Sequence, residues 1–300
     1  MSFLTIFTAP KPFTNPHIAT IQRNAIQSWR HLGQDVEVIL VGNERGMAET
    51  AAELGVAHLP EVVCNEKGTP LVSSIFQLAR QASNSPLLAY LNADILVLPD
   101  FVETARGVLA QADKFLVVGQ RWDLDVTQEL DFSPGWDERL RTDVKRRGSL
   151  HAPAGSDYFI FPRDLYSDMP DFAIGRAGWD NWMIYRARQQ GWPAIDATPS
   201  LVVIHQSHDY SHLPGGLPHY NLDESQHNMA LAGGPHHMYS VLDTDRQLIG
   251  GQIRRPRSSL LRSIRQVEMW LTPPDGRRQG PRWAVARQVR RLRRRISGSL

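Results

Sequence analysis

Leu87-Leu88-Ala89-Tyr90-Leu91-Asn92-Ala93-Asp94-Ile95-Leu96-Val97-Leu98-Pro99-Asp100 is the stretch on which the reading of this chain turns. Pro86 precedes it, a Pro-Asp pair closes it, and the apolar run between them reads as a buried strand. Asn92 and Asp94 interrupt that run with polar groups, whose burial is costly unless something satisfies them. Residues two apart on a strand share a face, so the spacing predicts that both side chains project together. An amide oxygen and a carboxylate aimed at one point suit a hard cation such as Mn²⁺ or Mg²⁺. The alternative is a strand that stops at Leu91, with Asn92 and Asp94 in an Asx turn. Spacing alone leaves the two readings level.

The flanks supply alternating strands and helices. Residues 2–8 alternate as a strand that ends in Ala9-Pro10-Lys11-Pro12, and Ile18, Ile21, Ala25 and Trp29 then fall at helical spacing before Gly33. Residues 36–41 form a second strand, followed by Gly42-Asn43-Glu44-Arg45-Gly46, a short helix over 47–54 and a third strand over 56–59. A helix over 71–82 feeds the opening stretch. This order predicts an α/β fold, an open and mostly parallel sheet flanked by helices and related to the Rossmann arrangement. Such sheets bind ligands beyond the carboxyl ends of their strands, where residues 8–11, 43–45 and 92–94 all fall.

Further along, residues 101–111 read as a helix capped by Asp100 and 115–119 as a strand. Residues 121–150 are charged, without clear apolar period, and read as a surface excursion with a helix around 136–145. Residues 154–161 return as a buried strand carrying Asp157. A Gly-rich loop leads into Trp179-Asp180-Asn181-Trp182 at a helix start, and an apolar strand over 201–204 delivers His205 and His208.

Three hundred residues with 42% hydrophobic and 21% charged content describe a globular chain with room for a sizeable core. The single cysteine, Cys64, excludes an intramolecular disulfide and fits a reducing compartment. No run reaches the roughly 18 apolar residues of a membrane span, and the N-terminus reads as carrying no signal peptide; a cytoplasmic location is expected. Residues 251–300 hold 14 arginines against Glu268 and Asp275, a net of +12, so the remaining 250 residues carry −10. Such a split predicts a basic tail with its own partner.

No dinucleotide fingerprint, phosphate loop or Gly-x-Ser-x-Gly occurs. Seven of the eleven histidines lie between His205 and His237. His212, His219, His236 and His237 read as surface decoration, whereas His205 and His208 leave a buried strand on the side where Asp94 is expected. Cys64 is alone, so structural zinc is disfavoured against Mn²⁺ or Mg²⁺. Asp180 reads equally as a helix-capping carboxylate and as a general base between aromatic neighbours that could stack on a sugar. Asp157 is the rival base.

Taken in order, the Thr-Ala-Pro loop, Asn92-Ala93-Asp94, Gly178-Trp179-Asp180-Asn181 and the strand exiting in histidine resemble a GT-A-type glycosyltransferase of the nucleotide-diphospho-sugar transferase superfamily, family-2-like. Asn92-Ala93-Asp94 would be a variant of its Asp-x-Asp metal motif, with Asn92 in place of the first acid. The resemblance spans roughly residues 1–245, the expected catalytic domain, and leaves 246–300 as an Arg-rich helical tail. It implies metal-assisted, inverting transfer of a sugar from a nucleotide-diphospho-sugar, a UDP-sugar being the expected donor, to an acceptor hydroxyl on a glycan, lipid-linked sugar or protein. Asp94 with His205 or His208 would hold Mn²⁺ or Mg²⁺, Lys11 or Arg45 would meet the diphosphate, Thr8, Ala9 and Glu44 the base and ribose, and Asn92 the donor. Competing readings are a sugar-nucleotidyltransferase, which would need a Gly-rich, Arg-containing loop that 8–13 lacks, and a non-catalytic nucleotide- or carbohydrate-binding module.

In the tail, Leu260, Leu261, Ile264, Val267 and Leu271 approach helical spacing, as do Trp283, Ala286, Val289, Leu292 and Ile296. The first stripe is expected to pack on the body. The second, dense in arginine, is expected to meet an anionic membrane, a peripheral place on its inner face, rather than nucleic acid.

Overall fold

The computed structural model describes residues 2–154, 156–208, 222–273 and 279–298. In chain order its elements are β1 (Leu4–Thr8), α1 (Pro16–Arg30), β2 (Val36–Val41), α2 (Met47–Leu54), β3 (Ala57–Leu59), α3 (Val72–Ala82), β4 (Leu87–Leu91), β5 (Ile95–Val97), α4 (Asp100–Leu109), β6 (Leu116–Val118), β7 (Trp122–Leu124) and α5 (Trp136–Arg147). Then follow β8 (Ser149–Leu150), β9 (Tyr158–Pro162), α6 (Trp179–Gln189), β10 (Ala194–Asp196), β11 (Val203–Gln206), α7 (Asp223–Leu231), β12 (Arg246–Ile249), β13 (Gln252–Arg254), α8 (Leu260–Leu271) and α9 (Pro281–Ile296). The fold is the expected α/β one: a large, mostly parallel sheet flanked by helices.

That sheet runs β13-β12-β10-β6-β9-β4-β1-β2-β3. Neighbours pair in parallel from β4 through β1 and β2 to β3, and from β6 through β10 to β12. β9 runs antiparallel between β4 and β6. Side chains alternate across the pleat: Leu4, Ile6, Leu87 and Ala89 enter one core layer with Trp29 and Phe101. Phe7, Leu88 and Tyr90 enter the other, with Phe76, Trp179 and Met183. Residues 246–254, expected to open the tail, instead complete the sheet, β12 beside β10 and β13 at the edge.

The apolar run 87–98 is not one strand. β4 stops at Leu91, residues 92–94 turn, and β5 joins a second sheet of order β5-β11-β7-β8. Asn92 and Asp94 are therefore not neighbours on one strand face; the reading that ended the strand at Leu91 describes the backbone. The excursion expected over 121–150 is also structured. β7 pairs with β11, and Leu124, Val126, Trp136, Leu140 and Val144 close on Leu96, Leu98 and Ile204 as a third small core. Three-residue strands are too short to show a period, so this part of the chain read as loop. Asp100 does not cap α4: it lies in the first turn, and its carboxylate accepts from Arg141 at 3.2 Å.

α1 packs on the large sheet through Ala25, Ile26 and Trp29 and bonds to the second sheet. Pro16 stands in its first turn and the Asn15 side chain accepts from the backbone N–H groups of His17 and Ile18. Its buried Trp29 donates from Nε1 to the Ile95 carbonyl at 2.8 Å. Gln206, fully buried at the end of β11, donates to the carbonyls of Ile21 at 2.7 Å and Asp94 at 3.2 Å and accepts from Asn24 at 3.1 Å. Replacing Gln206 by Leu keeps the volume but strands those partners, and a buried unsatisfied polar group costs about 1–3 kcal/mol. Denaturant unfolding of Gln206→Leu should show a loss of that size; unchanged stability would mean that the three bonds hold nothing.

Candidate functional site

The carboxyl ends of β1, β2, β4 and β6 lie along one edge of the large sheet, and antiparallel β9 begins there. Tyr158 pairs with Leu91, so the residues just outside the strands, Asn92 and Asp157, come together. The Asn92 backbone N–H donates to the Asp157 carbonyl and its side-chain amide to Asp157 Oδ1, each at 2.9 Å. After β6 the chain passes through Gly119, where a Cβ would stand 2.3 Å from the Tyr158 hydroxyl, so only glycine fits. It then presents Arg121, whose guanidinium lies 2.6 Å from Asp157 and 3.0 Å from Asp123.

The second sheet and the turns at its strand ends carry groups able to ligate a metal ion. In its register His205 sits between Ile95 and Asp123. His205 Nδ1 lies 3.1 Å from Asp123 Oδ1, and Asp123 Oδ2 lies 2.7 Å from His151 Nδ1. With Nδ1–H donated to Asp123, the other ring nitrogen, Nε2, faces Asp94 Oδ2 at 3.8 Å. His208 Nε2 lies 3.0 Å from the same oxygen and 3.5 Å from Lys11 Nζ. The ligand atoms of Asp94, His205 and His208 fall within 4.8 Å of one another. Asp94 Oδ1 is buried and has no hydrogen-bond partner among the described residues, an orphan of the kind a cation would satisfy. These residues fit a divalent ion.

The three residues brought together are the expected ones, Asp94, His205 and His208; only Asn92 departs, turning its amide nitrogen to Asp157 rather than its oxygen toward Asp94. One carboxylate with two imidazoles suits Mn²⁺ better than Mg²⁺, which prefers oxygen throughout.

Electrostatics sort the carboxylates. Burial would raise Asp94, but the charge of His205, the hydrogen bond from His208 and the charge of Lys11 outweigh it and hold Asp94 well below the usual carboxylate range. Burial lowers the Lys11 ammonium, offset in part by Asp94. Asp123 is likewise held low against its burial by His151, His205 and Arg121. Asp180 goes the other way: burial first, with Asp157 adding to it, pushes it up to about 6, although backbone N–H groups oppose the shift.

Asp180 stands in the first turn of α6, whose N-terminus follows Gly178 at φ +117°, a conformation that favours glycine. Its Oδ1 accepts from the Gly178 N–H at 3.3 Å, so part of the capping expectation holds. Trp179 pins this helix end to the sheet, edge-on to Tyr90 with ring centroids 5.0 Å apart. The Tyr90 hydroxyl is raised first by burial and then by the charges of Asp94, Asp157 and Asp180. Trp179 and Trp182 are buried among Tyr90, Phe159, Phe172 and Tyr166. Neither offers the exposed face that stacking on a sugar would need.

The remaining expected residues line the loops of the same edge. Thr8 ends β1 with its hydroxyl buried and unpartnered, and Ala9 is half-buried behind it. Lys11 is held by reciprocal bonds, its N–H to Gln22 Oε1 at 2.7 Å and the Gln22 amide to its carbonyl at 2.9 Å. The Phe13 N–H donates to the Arg45 carbonyl at 2.9 Å, joining the β1 and β2 loops, with Glu44 half-buried and the Arg45 side chain exposed. His212 and His219 lie outside the described residues; His236 and His237 bond to the carbonyls of Thr272 and Ala232 and are half-buried. Sequence reasoning missed Arg121, Asp123 and His151. The Arg-x-Asp spacing at 121–123 was the available signal, since it puts both on one face once 122–124 is a strand.

No family model matches the chain, and no curated protein matches it in sequence. Among solved structures it is similar to glucosyl-3-phosphoglycerate synthase from Mycobacterium tuberculosis, in complex with Mn²⁺, UDP and glucosyl-3-phosphoglycerate, with 17% identity, a TM-score of 0.48 and 86% and 88% of the two chains covered. It is similar also to a mannosyltransferase from Pyrobaculum calidifontis, in complex with GDP-Man and Mn²⁺, with 15% identity and a TM-score of 0.46. That match covers 70% of this chain and 58% of the mannosyltransferase.

The cluster makes a direct prediction. Mn²⁺ should raise the melting temperature of the wild type, because a ligand stabilises the state it binds, and Asp94→Ala should abolish the rise. Asp123→Asn leaves the three ligands in place but alters the partner that orients His205, so a melting-temperature titration should show Mn²⁺ bound about 10–100-fold more weakly. Identical responses in all three proteins would remove the ion from this cluster.

Proposed function

We propose that the chain is a metal-assisted glycosyltransferase that moves a sugar from a nucleoside-diphospho-sugar to an acceptor hydroxyl with inversion. The observation that carries the reading is the pairing, at one sheet edge, of a two-histidine, one-carboxylate cluster with a separate carboxylate, Asp180, pushed up to about 6. Perturbed groups of opposite tendency in one cleft are what a transfer needing both an electrophilic and a basic partner would use.

A divalent ion held by Asp94, His205 and His208 would supply positive charge to the departing diphosphate. Lys11, beside His208, adds a second cation there. Thr8, Ala9 and Glu44 hold the nucleoside in the joined loops of β1 and β2, with Arg45 at their rim, and Asn92 orients Asp157 beneath the donor. Asp180 accepts the proton of the acceptor hydroxyl as its oxygen bonds to the anomeric carbon. The bond from that carbon to the diphosphate breaks, and its electron pair leaves with the nucleotide. Asp157, neutralised by Arg121 and Asn92, is the weaker base candidate. A binding module would have no use for a carboxylate kept at about 6 beside the donor cleft. The expected donor is a UDP-sugar. The acceptor is a glycan, a lipid-linked sugar or a protein, met in the cytoplasm and, where it is lipid-linked, at the inner face of a membrane. Residues 1–245 carry the reaction in this reading, together with the strands that complete their sheet.

Incubation with UDP-, GDP-, dTDP- and CMP-sugars and Mn²⁺ should reveal one donor that is slowly hydrolysed. With that donor, Asp180→Asn should lower transfer about 10²–10⁴-fold, the usual contribution of a general base, while the Mn²⁺-dependent melting shift stays intact. A base must be deprotonated to act, so wild-type kcat/KM should rise as pH climbs through about 6, and the Asn variant should lose that limb. Activity that survives Asp180→Asn but not Asp157→Asn would exchange the two roles.

A further inference from the structure

The two tail helices form a hairpin fixed to the body by part of their arginines. Arg262 of α8 donates to the carbonyls of Leu242 and Thr244, each at 2.9 Å, and Arg265 lies 3.0 Å from Asp243. Glu268, fully buried, joins the helices to each other: Arg290 and Arg293 of α9 each reach it at 2.7 Å. What this leaves outside is unusual. Six of the nine large exposed hydrophobic residues among those described lie on these two helices: Leu260, Val267 and Trp270 on α8, and Val285, Leu292 and Ile296 on α9. Trp270 is 74% exposed and Leu260 64%. The spacings of seven and three, and of seven and four, keep each trio on one side of its helix. Single exposed apolar residues need no explanation, but their concentration on one hairpin does.

Beside them on α9 stand Arg287, Arg291, Arg294 and Arg295, all exposed and without an acidic partner among the described residues. Residues 281–300 contain no acid at all. We propose that the α8–α9 hairpin is a docking surface for an anionic lipid bilayer, its apolar trios entering the headgroup boundary and its free-standing arginines meeting lipid phosphates. The charge selects this occupant. A second copy meeting this hairpin with its own would bring the same positive face, and nucleic acid would use the arginines but not Leu260, Val267, Trp270 or Leu292. A bilayer surface uses both. Among the described residues no helix is long and apolar enough to cross a membrane, so the contact is one of lying on the surface. The surface stands without the transferase reading; only a lipid-linked acceptor would rest on that reading.

The test is sedimentation of the full-length chain with phosphatidylcholine vesicles, alone or containing one-third phosphatidylglycerol, with no sugar donor present. The chain should pellet with the anionic vesicles at low salt, stay in the supernatant with neutral ones, and be released as salt screens the attraction. Replacing Arg287, Arg291, Arg294 and Arg295 together by Gln should weaken binding by roughly 600-fold, each basic residue near such a surface contributing about fivefold. Trp270→Ser with Leu292→Ser should weaken it about 10-fold or more with the charge unchanged. All six positions are exposed, and circular dichroism matching wild type would confirm that fold is not the cause. Wild type that ignores anionic vesicles at low salt overturns the proposal. So does tight binding of duplex DNA or RNA that is indifferent to Trp270→Ser, or a concentration-dependent dimer that Trp270→Ser dissociates. Failure here leaves donor hydrolysis untouched, and absence of donor hydrolysis leaves vesicle binding untouched.

Discussion

Everything in the cleft depends on one backbone event, the departure of the chain from the large sheet at Leu91. Between that residue and Ile95 the chain must satisfy backbone groups that neither sheet pairs, and it does so at both ends. Asn92 bonds to Asp157 through its backbone N–H and its side chain. The Asp94 carbonyl accepts from the backbone and the side chain of Gln206. The first tie sets the turn on the antiparallel strand β9, and the second sets it on β11. α1 bonds twice to the second sheet, receiving Gln206 of β11 on one turn and binding the Ile95 carbonyl of β5 with Trp29 on another, while Ala25, Ile26 and Trp29 pack in the core layer beneath β1 and β2 of the large sheet. Asp94 is thereby fixed at the join of two sheets, where His205 and His208 reach it, with Lys11 beside His208.

The same join explains why three acids so near one another behave differently. Asp157 has Arg121 and the Asn92 amide, and Asp94 has two imidazoles and an ammonium; Asp180 has only backbone N–H groups. Burial acts against the charge of both Asp94 and Asp180, so the sign of each shift is decided by the company and not by the depth. Among the described residues no cation pairs with Asp180, which is carried on α6 and held by Trp179 against Tyr90 and Phe76. A cleft assembled from two sheets and a helix can keep a poised carboxylate beside a permanently ionised one.

How far the sequence could be read follows from the length of the signals. β1, β2, β4, α1 and α3 have enough residues to show their period, and with them the parallel sheet and its ligand-binding edge were legible. The split of the run 87–98 was not, because an apolar strand crossing from one sheet to another looks the same as one that continues. That blind spot misassigned the geometry of Asn92, whereas Asp94 still falls beside His205 and His208. β7 is three residues long and carried its message in Arg121 and Asp123, two charges that read as surface until a partner strand sets the register. Trp179 and Trp182 failed for a different reason: periodicity places a residue on a face, but only the neighbouring layer decides whether that face is covered.

The tail is where counting charge misleads most. Fourteen arginines over residues 251–300 read as one basic segment, yet they divide by the depth of their partners. Arg262, Arg265 and Arg293 have side chains roughly nine-tenths covered and Arg290 about two-thirds; their partner Asp243 is covered to a similar degree, and Asp196 and Glu268 are more deeply buried still. Removing one member of such a set strands the other charge in a dry environment, which is costly even where the pair as a whole contributes little to stability. These arginines therefore serve specificity of docking: Glu268 has two helices to satisfy it and is satisfied only when α9 lies in one register on α8. With that register set, the arginines that have no acid to meet and the apolar residues that have no core to enter are held outward on a rigid hairpin. A flexible tail of the same composition would lose conformational freedom on meeting any surface; this one has already lost it on folding.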